Sequence, residues 1–262
     1  MLHIFTYFTN EDESQLKYLK ESSTLFNTPI QCIIQDLSKP NSTHTNNMCL
    51  MQKAIQKIPD DDVVCFINAR DVLVAAGVDE ILRKFLDMDA NLVISAELNS
   101  YPWGYHDKYP VTRSRTNYRF INSKGYIGYK SAIVDMFSWK SVEEIRENGD
   151  DQRYFIDYYL ANYKDGARGV CLDHKAKIFQ NMFMTDWSEF DFISGRVYNR
   201  ALQETPCFVH FNGESWKTEK EDTIIPVFLD KMRRTKIPGV ILSLNGHVRC
   251  KWPNSEVRPS LA

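Results

Sequence analysis

No run of the 262 residues reaches the roughly 18 to 20 apolar positions that a membrane span needs. The opening MLHIFTYFTNEDES has neither a basic start nor a long apolar stretch. Neither a spanning helix nor a secretory leader is expected, and the chain reads as soluble and cytoplasmic unless targeted by other means. Asn41-Ser42-Thr43 is a formal glycosylation acceptor, a single weak sign of secretion. Basic charge is also short: 32 Lys and Arg against 34 Asp and Glu leave a formal net charge of -2. That is too weak a positive field for sequence-independent nucleic-acid binding. The six cysteines include no C-x-x-C pair, which argues against a zinc ribbon or a thioredoxin-like site. Cys32, Cys65 and Cys171 lie in or beside apolar runs and read as buried thiols. Repeats, low-complexity blocks and interdomain linkers are missing too, so a single domain over residues 1–262 is expected.

What is present is an ordinary globular balance, 43% apolar and 25% charged. The first half alternates short β-rich runs with amphipathic segments, the signature of an α/β fold with a mainly parallel central sheet and helices on both faces. Strands are predicted at Leu2–Phe8, Ile30–Gln35, Val63–Asn68 and Asn91–Ala96, and helices at Glu11–Ser23, Met48–Ile58 and Gly77–Met88. A turn-rich stretch from Leu98 to Arg119, of a size that belongs to binding faces, precedes the glycine-broken run YRFINSKGYIGY. Helices at Lys130–Trp139 and Asp151–Tyr163 follow, with short strands at Val170–Leu172, Lys177–Gln180 and Cys207–His210. Lys231, Arg233, Arg234 and Lys236 read as a solvated face.

In such sheets ligands gather outside the carboxyl ends of the strands, so the residues just after Phe66 and Ala96 come first. Asp71, in CFINARDVLV, could hold a divalent cation bridging diphosphate oxygens, or it could cap the following turn, which the spacing alone favours. His210 ends an apolar strand before the turn dipeptide Asn212-Gly213; it is a candidate metal ligand, or a half-buried imidazole satisfied by backbone. Asp150 and Asp151 open a helix, where capping and a carboxylate aimed at a sugar hydroxyl are both open.

The ordered series DVVCFINARDVLV, LVISAE, WGYHDKYP, RFINSKGYIGY, GDDQRYF, LDHKAKIFQN and VHFNG runs over roughly residues 60 to 213. It resembles the glycosyltransferase domain of procollagen lysyl hydroxylases. The resemblance implies a GT-A fold, with residues 1–97 as the nucleotide-binding half, 98–216 as the donor-sugar and acceptor half and 217–262 as an extension. It further implies Mn2+-dependent transfer of glucose from UDP-glucose to galactosyl-hydroxylysine of collagen or collagen-like chains, with retention of configuration. The family's metal ligands fall on Asp71 and His210, with Asn68 as a possible third, and its sugar-handling aspartates on Asp150 and Asp151. Thr6, Asn68, Trp103, Asn122, Asn212 and Gly213 are the expected nucleotide-sugar contacts. Aromatic faces suit sugar C–H surfaces while carboxylates fix hydroxyls.

Two positions depart from the family pattern. Its D-x-x-D motif begins here with the neutral Asn68, and its double glycine after Asn-Ser becomes Lys124-Gly125. A weaker metal site, a changed donor or acceptor, or an inactive relative that binds nucleotide or a partner would each account for them. The chain is too short to hold the hydroxylase domains as well, and it shows no iron-binding facial triad.

Overall fold

The computed structural model describes residues 1–9, 16–35, 44–111, 116–141, 144, 150–163, 169–213, 224–237, 239–243 and 248–250. Its centre is a six-stranded sheet in the order β2-β1-β3-β6-β5-β7. The strands are β1 (Leu2–Thr9), β2 (Gln31–Gln35), β3 (Val63–Ile67), β5 (Leu92–Glu97), β6 (Phe120–Tyr129) and β7 (Val170–Leu172). Five run in one direction, and β6 alone is antiparallel to both its neighbours, β3 and β5.

Alternation along the strands sorts the core into two layers, because successive side chains leave opposite faces of a sheet. Phe5, Val64, Phe66, Ile94 and Tyr126 face one layer with Met48, Met51, Ile133, Met136, Tyr154 and Phe155. Those come from α2 (His44–Ala54), α4 (Lys130–Phe137) and α5 (Asp151–Asn162). Ile4, Val63, Cys65, Ile67, Val93 and Ile127 face the other, against Leu19 of α1 (Lys17–Leu25) and Ile81 and Phe85 of α3 (Val78–Leu86). The α3 helix carries Asp79 and Glu80 in its first turn and Arg83 and Lys84 in its last, the order that suits its dipole.

Two smaller sheets follow among the described residues. One joins β4 (Val72–Val74), β11 (Phe208–His210) and β8 (Phe179–Asn181) in the order β4-β11-β8. The other orders β10 (Arg196–Asn199), β9 (Phe190–Ile193), β12 (Val240–Ser243) and β13 (Val248–Cys250). Helix α6 (Ile224–Thr235) packs Phe228 and Met232 on the buried Phe190 and Phe192 of β9, forming a third core. Residues on both sides of position 97 share the central sheet.

Several boundaries move from the sequence reading. The first helix spans Lys17–Leu25, and residues 10–15, which held its expected acidic first turn, lie outside the described set. YRFINSKGYIGY is a single ten-residue strand from Phe120 rather than broken chain. Cys65 is buried, but Cys32 is exposed on β2, which lies at the sheet edge. No helix among the described residues is long and apolar enough to cross a membrane.

Candidate active site

The three-stranded sheet brings the two candidate metal ligands together. Val72 pairs with His210 across the antiparallel β4–β11 ladder, and Phe211 N donates to the Asp71 carbonyl at 2.8 Å. Nε2 of His210 lies 3.3 Å from Oδ1 of Asp71, with both side chains largely buried. On the other flank β11 runs parallel to β8, with His210 opposite Asn181. Asn181 Nδ2 donates to Ser95 Oγ (3.0 Å) and the Ala96 carbonyl (2.8 Å), so its Oδ1 is the atom that faces His210 Nδ1, at 2.8 Å. That acceptor takes the proton on Nδ1 and leaves Nε2 as the ring nitrogen turned toward Asp71.

Burial works against ionisation of Asp71, but the His210 imidazole and the Asn68 amide outweigh it and hold the carboxyl below the usual carboxylate range. Asn68 Nδ2 donates to Asp71 Oδ1 at 2.7 Å. A carboxylate oxygen, an imidazole nitrogen and a neighbouring carboxamide are residue types that hold a divalent first-row ion. Among the described residues no group of three or more His, Cys, Asp or Glu side chains could hold a metal.

A second cluster adjoins the first through an irregularity in β6. Ile94 pairs with Tyr126 but Ser95 pairs with Asn122, so Ser123, Lys124 and Gly125 are inserted opposite a single step of β5. Ser95 Oγ closes the insertion by donating to the Asn122 carbonyl at 3.1 Å. A Cβ on Gly125 would stand 3.0 Å from the Phe179 ring and 3.1 Å from the Ser95 Cβ, so this glycine serves a close approach. Lys124, its neighbour, is not so confined: its ammonium reaches Asp151. Asp151, Ser123, Tyr126, Phe66 and Tyr7 line a small cleft there.

Asp150 and Asp151 have separate environments. Asp150 is the N-cap of α5, in extended backbone, and accepts from Gln152 N at 2.9 Å. Asp151 is the partner of Lys124. Gln152 locks this helix start in place: its Oε1 accepts from Ser123 N at 2.8 Å and its Nε2 donates to the Tyr101 carbonyl at 3.3 Å. The loop held this way carries Trp103, which is 86% exposed.

Glu97, at the end of β5, joins the remaining polar residues and was not picked out from the sequence. Its two carboxyl oxygens accept from Asn122 Nδ2 (3.1 Å) and Asn212 Nδ2 (2.8 Å). Both amides are oriented by backbone donors, Lys124 N on Asn122 Oδ1 and Met182 N and Phe183 N on Asn212 Oδ1. Burial pushes the Glu97 carboxyl up to about 8, against the opposing pull of the two amides. The sequence signal was there: Glu97 is the first charged residue after Ala96, the strand end already singled out. Gly213 takes φ +64°, and a Cβ there would meet the Phe183 ring at 2.9 Å. Thr6 is fully buried and donates to the Ile67 carbonyl at 2.9 Å, clamping β1 to the end of β3 from behind.

A mainly parallel sheet, one reversed strand and polar residues gathered at its carboxyl edge define the GT-A class of glycosyltransferase folds. The galactosyltransferase LgtC, solved in complex with donor and acceptor sugar analogs, matches with a TM-score of 0.51 at 15% identity, over 89% of this chain and 96% of that one. That likeness is one of fold. The sequence is more specific: residues 1–220 match the family model of the PLOD GT domain, and the chain belongs to that family. It is 29% identical over 225 residues to the Homo sapiens multifunctional procollagen lysine hydroxylase and glycosyltransferase LH3, covering 81% of this chain and 30% of that protein. It is 31% identical over 224 residues to the Homo sapiens procollagen-lysine,2-oxoglutarate 5-dioxygenase 1, again covering 81% and 30%. The chain therefore spans less than a third of the length of these relatives. Family and fold agree with the resemblance carried by the ordered motifs.

Proposed function

We infer that this chain is a metal-dependent glycosyltransferase that moves glucose from UDP-glucose to galactosyl-hydroxylysine in collagen or a collagen-like protein. Family membership supports the reaction class and the acceptor. The observation that carries the reading is the Asp71–His210 pair, an ionised carboxylate 3.3 Å from an imidazole nitrogen, built where nucleotides bind in α/β sheets. Asp71 and His210 would hold Mn2+, with Asn68 as the third ligand once its amide turns its oxygen inward. A bound divalent ion supplies positive charge against the diphosphate as it leaves.

The chain's own residues do the rest by position. Asn181 keeps the His210 ring in one tautomer and one orientation. Asp151, at the first turn of α5 and facing the cleft, orients a sugar hydroxyl, while Asp150 keeps that turn in place as its cap. Glu97 holds Asn122 and Asn212 so that the inserted β6 backbone and the turn at Gly213 form a fixed floor. Trp103 offers an exposed aromatic face suited to the C–H surface of the donor sugar.

UDP release tests the reading. The protein is incubated with Mn2+ and UDP-glucose or UDP-galactose, with and without a galactosyl-hydroxylysine peptide. Release that needs UDP-glucose, metal and peptide supports it. Release with another donor or acceptor makes the chain a GT-A transferase of different specificity. Absence of release with nucleotide still bound makes it a binding relative.

A further inference from the structure

Lys124 has no part in the reaction proposed above, yet it stands inside the site. A long cationic side chain stands there, next to the confined Gly125. Its backbone is anchored on both sides: the amide donates to Asn122 Oδ1 at 3.0 Å and the carbonyl accepts from Asn68 N at 3.1 Å. Those bonds place it beside Asn68, and thus next to the Asp71–His210 pair. The ammonium pairs with Asp151, which lines the cleft, and the Lys124 side chain is 28% exposed.

Charge sharpens the inference. Asn68 is neutral and Lys124 cationic, and the bond from Asn68 N to the Lys124 carbonyl makes the two residues neighbours at the edge of the site. Lys124 brings a positive charge to the site's edge, where Asn68 adds no negative one. The anion that a UDP-sugar brings there is its diphosphate, and a lysine ammonium is a ready point-charge partner for phosphate oxygens.

We propose that Lys124 binds the diphosphate of the nucleotide, leaving Asp151 to do so, and thereby acts as a second cation of the site. The proposal rests on the UDP-sugar reading. Binding of UDP frees the Asp151 carboxylate for the sugar, which couples nucleotide capture to the residue that handles the donor.

Calorimetric titration of UDP and of uridine into the full chain, in chelator and then in Mn2+, tests it. In chelator, Lys124→Met weakens UDP about tenfold or more, the loss expected for a charge-assisted hydrogen bond. Uridine, which lacks phosphate, binds as before. Lys124→Arg keeps UDP affinity within a few-fold, and Asp151→Asn strengthens it because the ammonium no longer leaves a carboxylate. The Lys124→Met loss persists in the Asp151→Asn background, which separates lost attraction from an unpaired, repelling Asp151. Unchanged UDP affinity in Lys124→Met, or an equal loss for uridine, overturns the assignment and leaves the donor reading standing. A wild-type chain that binds neither UDP nor UDP-glucose overturns the donor reading, and this proposal with it.

Discussion

Asn181 Oδ1 sits 2.8 Å from Nδ1 of His210, and its own amide nitrogen is committed to Ser95 and Ala96. The central sheet thus decides, through one asparagine, which ring nitrogen of a histidine on another sheet faces Asp71. Removing either member of the Asp71–His210 pair should therefore remove function without removing the fold. Asp71→Ala and His210→Ala are expected to lower metal-dependent turnover on the order of 10²-fold or more, with circular dichroism unchanged. Near-normal UDP release by both variants would show that the pair is not the metal site.

Asn68→Asp restores the family's charge. Asn68 now donates to Asp71 Oδ1, so the substitution replaces an attraction with two facing carboxylates. Without metal the variant is expected to melt lower than wild type at neutral pH. With metal it should gain more melting temperature and reach half-maximal activity at a lower Mn2+ concentration. An unchanged metal requirement would put Asn68 outside the ligand set.

The two neighbouring aspartates should separate cleanly. Asp150→Ala deletes the cap of α5 and is expected to cost about 0.5 to 2 kcal/mol of stability, with turnover per folded molecule retained. Asp151→Asn should spare stability and lower kcat strongly. Normal kcat in Asp151→Asn would reduce both residues to a helix start.

Glu97 sets a pH dependence of stability. Its folded carboxyl titrates near 8 against an ordinary 4.5, so the stability it contributes is complete below the unfolded value and is lost as pH rises through about 8. The loss is on the order of a few kcal/mol. Glu97→Gln removes this slope, yet it leaves one of the Asn122 and Asn212 amides facing another N–H group, costing about 1 to 3 kcal/mol at pH 5. Melting temperatures from pH 5 to 9 should therefore fall for wild type and stay flat, from a lower start, for the variant. Parallel curves would contradict the assignment.

Much of the central sheet was legible because its strands are short runs bounded by turn residues, and because Ile81 and Phe85 mark a helix face by their spacing. Asp71 was legible by its place after β3. The β9–β10 hairpin was not predicted, although its signal is present: Phe190 and Phe192 alternate with outward residues, and Ser194-Gly195 both take positive φ, the geometry of a two-residue turn. Strands of four residues are too short for alternation to stand out. The reversed direction of β6 and the meeting of His210 with Asn181 arise from pairings between distant segments, which no local pattern encodes.

The inserted triplet in β6 has a consequence for how such a site changes over generations. Gly125 is confined by Phe179 and Ser95, while the backbone of Lys124 bonds to Asn122 and Asn68 outside the β5 ladder. Position 124 can therefore exchange its side chain without moving a rung of the sheet. Inheritance of the framework and variation of the ligand-facing chemistry are uncoupled at this residue, so a lineage can retune what the cleft prefers in a single substitution.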